Sequence, residues 1–124
     1  MSEGKERSSL ALAYLGDAVY ELRVREHLLK SGQGKVAELH AAAVQYVNAE
    51  AQSRLYAVVE PLLSEEEKTV FRRARNAKSG HQPPHMAVTA YRRATGLEAL
   101  IGYLYIKGES ARLDLIFSHL FQDA

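Results

Sequence analysis

The chain has 124 residues, enough for one domain with its own core and too few for two of ordinary size. Hydrophobic residues make up 47% and charged residues 25%, as in ordinary globular domains. Cysteine is absent, which excludes a disulfide scaffold, a thiolate metal site and a cysteine nucleophile. The net charge of +1 hides an uneven distribution. Residues 1–67 carry seven Lys/Arg against eleven Asp/Glu, residues 68–97 seven against none, and residues 98–124 two against four. So long a stretch without a carboxylate points either to an anionic partner or to a solvated face that is merely basic. No apolar run approaches the ~18 residues of a membrane span. The polar start MSEGKERSS is unlike a secretory signal. A soluble cytoplasmic protein is the expectation.

Strand signals are scarce and helical spacings abundant, so the sequence predicts a single all-α domain of about six helices. The first spans about 9–30, capped by Ser8 or Ser9 and ended by Gly32, with Leu12, Leu15, Val19 and Leu22 as its buried stripe. A second starts near Lys35, with Val36, Leu39, Ala43, Tyr46 and Val47 inward. Asn48 either breaks it or starts a third helix that buries Leu55, Val58 and Val59 and is limited by Pro61. Ser64 and Glu67 form a capping-box pattern for a fourth helix reaching about Arg75. A loop containing Gly80, Pro83 and Pro84 follows. The fifth helix, about 86–107, presents Val88, Tyr91, Leu97, Ile101, Leu104 and Tyr105. The last, 110–121, presents Leu113, Ile116, Phe117 and Leu120. Tyr14, Tyr46, Tyr91, Tyr103 and Tyr105 read as core or interface residues.

Two carboxylates sit in apolar surroundings. Asp17 lies in Leu15-Gly16-Asp17-Ala18-Val19 and Glu98 in Gly96-Leu97-Glu98-Ala99-Leu100-Ile101-Gly102. An ionised carboxylate is costly to bury unless it is paired, hydrogen-bonded or metal-bound. Mid-helix glycine costs about 1 kcal/mol relative to alanine, and it permits two helices to approach closely. If the helices cross at Gly16 and Gly102, the two acids face each other and suit a hard cation such as Mg²⁺. Alternatively, each caps a nearby backbone or pairs with an arginine.

The run Leu12-Ala13-Tyr14-Leu15-Gly16-Asp17-Ala18-Val19 resembles the signature helix of the ribonuclease III family, and Leu97-Glu98-Ala99-Leu100-Ile101-Gly102-Tyr103-Leu104 resembles that family's second motif. The resemblance runs from about Ser9 to Leu120 and is to a short, nuclease-domain-only bacterial branch without a double-stranded-RNA-binding domain. It implies an endoribonuclease acting on double-stranded RNA, specifically the 23S ribosomal RNA precursor stem, leaving 5′-phosphate and 3′-hydroxyl ends. It further implies catalytic and metal-ligating roles for Asp17 and Glu98, Mg²⁺ as cofactor, and a homodimer. Glu50 falls near a position of a further family carboxylate, and Glu21 lies one turn after Asp17. Where the family signature has carboxylates, this chain has Leu10, Ala13 and Thr95. Those replacements motivate an alternative, a non-catalytic RNA-binding or ribosome-assembly module on the same fold. A helical protein-interaction module would leave the acid-free basic stretch unexplained.

A-form RNA is recognised through shape, phosphates and 2′-hydroxyls. Arg72, Arg73, Arg75, Lys78, Arg92 and Arg93 suit that task, with His81 and His85 as loop candidates. Selectivity is expected from RNA shape or from a ribosomal protein that presents the substrate.

Overall fold

The computed structural model describes residues 8–32, 34–77 and 88–122. They form six helices and no strand: α1 Ser9–Lys30, α2 Val36–Ala43, α3 Ala49–Val59, α4 Glu65–Arg75, α5 Val88–Ile106 and α6 Ser110–Gln122. A 3₁₀ turn, Glu60–Leu62, joins α3 to α4. The all-α expectation holds.

The caps follow from side-chain chemistry. Ser8 Oγ accepts from Ala11 N–H at 2.9 Å and starts α1. Asn48 both ends one segment and starts the next: its amide donates to the Val44 carbonyl while its Oδ1 accepts from Ala51 N–H at 2.8 Å. At α4 the capping box is complete, with Glu67 N–H donating to Ser64 Oγ at 3.1 Å and Ser64 N–H to Glu67 Oε1 at 2.8 Å. Three glutamates in its first turn and three arginines in its last agree with the helix dipole. α5 ends where Gly108 adopts φ 73° and Glu109 N–H reaches back to the Leu104 carbonyl at 2.9 Å.

α5 is the central helix, packed against α1, α3, α4 and α6. Leu97, Ala99, Leu100 and Ile101 are fully buried, as expected for a helix that is apolar on more than one side. Its crossing with α1 is a main-chain contact. A Cβ added to Gly16 would lie 1.6 Å from the Glu98 carbonyl oxygen, and one added to Gly102 would lie 2.1 Å from that of Leu12. α4 packs as tightly: the Phe71 ring lies against Gly96 on one side and stacks on Tyr56 at 3.7 Å on the other.

The buried ridge of α1 is Leu12, Gly16, Tyr20, Val24 and Leu28, flanked by Ala13 and Val19. Leu22, expected inward, is exposed, because the face of α1 turned inward is the one that carries Leu12, Gly16 and Tyr20. Val36, Val88 and Tyr105 are likewise exposed rather than inward, Val36 and Val88 as first residues of their helices and Tyr105 near the end of its helix. α2 contributes no fully buried residue, and Tyr46 reaches the core from the turn after it. Of the other tyrosines, Tyr103 is half-buried and Tyr14 is 85% exposed. Among the described residues, no helix is long and apolar enough to cross a membrane.

Candidate active site

The α1–α5 crossing delivers the two acids to one place. Asp17 follows Gly16, and Glu98 lies one turn before Gly102, so the touching backbones set the distance between them. They are close enough for Asp17 to raise the Glu98 carboxyl. The alternative in which each acid merely caps a backbone or pairs with an arginine is not what the fold shows. Asp17 is exposed and Glu98 half-buried, so the pair opens to solvent on the Asp17 side.

A third helix completes the arrangement. Gln52 of α3 is 4% exposed, and its Nε2 donates to Glu98 Oε2 at 3.0 Å. Burial raises the Glu98 carboxyl to about 8; the Gln52 N–H opposes this, while the charge and hydrogen bond of Asp17 add to it. Tyr20 lies close by. Its hydroxyl donates to the Tyr46 carbonyl at 2.9 Å and is held well above the usual tyrosine range, by burial first and by the Glu98 charge second.

Two carboxylates held close together repel, and a cation between them relieves that repulsion. The donors present are hard oxygens with open solvent on one side. That set fits Mg²⁺, which takes one or two carboxylates and retains several waters. Among the described residues, no three of His, Asp and Glu gather as a metal cluster. Glu50 and Glu21 therefore do not join the pair. Glu50 is exposed in the first turn of α3, and Glu21 pairs with Arg25 at 3.2 Å. Ala13 is buried in an apolar cluster with Leu12, Ala74 and Ala99. Thr95 instead donates to the Tyr91 carbonyl at 3.0 Å.

The basic residues gather where α4 ends and α5 begins. Arg75, Arg92 and Arg93 line one shallow groove with Asn76, Val88 and Thr89. Arg72, Arg73, Arg92 and Arg93 are exposed. Among the described residues, none of these five arginines has an ion-pair partner. The Tyr56 hydroxyl marks their proximity: burial and the Glu60 charge raise it to about 12, and Arg75, Arg72 and Arg93 oppose that. Lys78, His81 and His85 lie outside the described residues.

Sequence reasoning missed Gln52. The signal was present, since Gln52, Leu55, Tyr56 and Val59 share the inward face of α3 at helical spacing. A polar side chain in that stripe invites the same question as Asp17 and Glu98.

The Ribonuclease III domain matches residues 10–109, a span that includes both acids. The chain is 49% identical over 118 residues to Mini-ribonuclease 3 of Desulfitobacterium hafniense, covering 95% of this chain and 74% of that one. It is 51% identical over 105 residues to Mini-ribonuclease 3 of Symbiobacterium thermophilum, covering 84% and 80%. A crystal structure of a protein from Fusobacterium nucleatum matches with a TM-score of 0.87 at 32% identity, covering 99% of this chain and 98% of that one. With the helical order, the paired acids and these similarities in agreement, the chain belongs to the ribonuclease III family, in its Mini-ribonuclease 3 branch.

Proposed function

We propose that this protein is a Mg²⁺-dependent endoribonuclease that hydrolyses double-stranded RNA, with Asp17 and Glu98 as its catalytic, metal-holding residues. The observation that carries this reading is the main-chain crossing at Gly16 and Gly102, which brings Asp17 near enough to raise the Glu98 carboxyl. Bound there, a divalent cation supplies water activation and neutralises charge developing on the phosphoryl oxygens. Asp17 and Glu98 would hold it, while Gln52 keeps one oxygen of Glu98 occupied. The arginines that line the groove between the end of α4 and the start of α5 would hold the phosphate backbone. Water adds its oxygen to phosphorus, the bond to the 3′ oxygen breaks, and the ends are 5′-phosphate and 3′-hydroxyl.

The substrate we assign is the stem of the 23S ribosomal RNA precursor, cut in the cytoplasm, on the strength of the resemblance to this branch. A ribosomal protein that presents the stem would supply selectivity. A homodimer would set two such sites against opposite strands. The apolar side chains that α1 leaves exposed, Tyr14, Leu22 and Leu29, support association, and sedimentation tests it.

The direct test is incubation of the purified protein with a long RNA duplex, with and without Mg²⁺. Cleavage with Mg²⁺, together with loss of cleavage but retained binding in Asp17→Asn and Glu98→Gln, supports the reading. The scarcity of carboxylates favours one alternative, a non-catalytic RNA-binding or ribosome-assembly module. Duplex retention without cleavage under all metal conditions would establish it.

A further inference from the structure

Two polar side chains are buried among the described residues, Gln52 and Glu67. Glu67 is explained by structure: Arg112 Nε and Nη2 donate to its two oxygens at 2.8 and 2.6 Å, and it closes the α4 capping box. Gln52 caps nothing. Its amide is directed at Glu98, one of the two acids of the site.

Burying a primary amide costs stability unless it finds a partner, and here the partner is a carboxylate on another helix. α3 presents the amide rigidly. Asn48 fixes the helix start, Leu55 is fully buried one turn on, and Tyr56 stacks on Phe71. A glutamate side chain has three torsions, and an N–H donor at one oxygen removes most of that freedom. The chemistry at position 52 is narrow. A leucine would fill the space but leave Glu98 Oε2 without its donor. A glutamate would fill the space but replace the donor with a third negative charge. Glutamine donates and adds no charge.

We propose that Gln52 is a positioning residue for Glu98, which fixes one carboxylate oxygen so that the other serves Asp17 and the cation, and which keeps the site at two negative charges. This rests on the metal-dependent nuclease reading. Gln52 acts through Glu98 and does not touch RNA, so its removal changes the chemical step and the metal requirement, not duplex affinity. It also implies an affinity: a two-carboxylate site with a neutral donor binds divalent cations more weakly than one with three acids.

The test uses the full chain and the variants Gln52→Leu and Gln52→Glu, with Asp17→Asn as reference. Duplex cleavage is followed over a range of Mg²⁺, separating kcat from KM for RNA, and Mn²⁺ binding to the protein without RNA is measured by calorimetry. We expect Gln52→Leu to lower kcat by about 10- to 100-fold and to raise the Mg²⁺ midpoint, with KM for RNA within about twofold. We expect Gln52→Glu, which keeps the side-chain size, to tighten Mn²⁺ binding and lower the Mg²⁺ midpoint. Unchanged kcat and metal midpoint in Gln52→Leu would overturn the proposal, as would a rise in KM alone. Should Gln52→Leu fail to fold, an unchanged metal midpoint in Gln52→Glu overturns it equally. If the native protein itself neither cleaves duplex nor binds Mn²⁺, the nuclease reading fails and this proposal falls with it. A native protein that cleaves while both Gln52 variants match it refutes the positioning role alone.

Discussion

The carboxyl group of Glu98 is raised in part by Asp17, although 81 positions separate the two along the chain. Burial is the main reason the Glu98 carboxyl rises from 4.5 to about 8, with Asp17 adding and Gln52 opposing. A raised carboxyl contributes stability that is complete below the unfolded value and is lost as pH climbs through the folded one. In the absence of metal, we therefore expect Glu98→Gln to melt close to the native protein near pH 4.5 and progressively above it towards pH 8. A divalent cation should close that gap by stabilising only the native protein, and its binding should release protons. Melting curves at several pH values decide this; a gap of constant size would show that Glu98 does not titrate in that range.

Gly16→Ala should destabilise the fold by about 3 kcal/mol or more and abolish cleavage, because its Cβ would lie 1.6 Å from the Glu98 carbonyl oxygen. Gly34→Ala is the control. Nothing lies within 4 Å of its added carbon, so a change within about 0.5 kcal/mol is expected. Chemical denaturation of both variants tests the main-chain contact; equal stability would refute it.

The Glu67–Arg112 pair ties α4 to α6, and Arg112 Nη2 also donates to the Leu62 carbonyl at 3.0 Å. Burial pushes the Glu67 carboxyl up, but the hydrogen bonds from Arg112 and Ser64 outweigh it and leave it below the usual range. Arg112→Met should cost about 2 kcal/mol near neutral pH, less than for a fully buried pair because Arg112 is partly exposed. A depressed carboxyl contributes stability that is lost as pH falls, so the penalty should shrink in acid. Denaturation at neutral and acid pH measures both, and a penalty that grows in acid would reverse the assignment.

Arg93→Ala and Arg92→Ala should each weaken duplex binding in a salt-dependent way, lowering the slope of log K against log salt by about 1 for each phosphate no longer neutralised. Both side chains are exposed, so the fold should hold. Binding isotherms at several salt concentrations give the slope. Weakening without a change in slope would place these arginines away from phosphate.

Much of this architecture was legible in the residues. Ser8, Asn48, Ser64 and Gly108 punctuate the helices through chemistry local to a few positions, so their ends could be read directly. The crossing was legible because two glycines in apolar helices need a reason, and the acids beside them named it. The rotation of α1 was harder to read. Hydrophobicity favours Leu22, yet close main-chain packing turns Gly16 and Tyr20 inward, and a missing side chain carries no hydrophobic signal. Gln52 escaped because its partner is 46 positions away: its place in the inward stripe of α3 marks it as buried, but nothing local to α3 says what its amide meets.

At the heart of this protein the gap between two acids is a ruler made of peptide groups, as thick as two backbones laid together at Gly16 and Gly102. Such a ruler does not lengthen when neighbouring side chains are exchanged. The arginine-bearing exterior can therefore be redrawn, by evolution or by design, while the spacing of the two acids stays fixed.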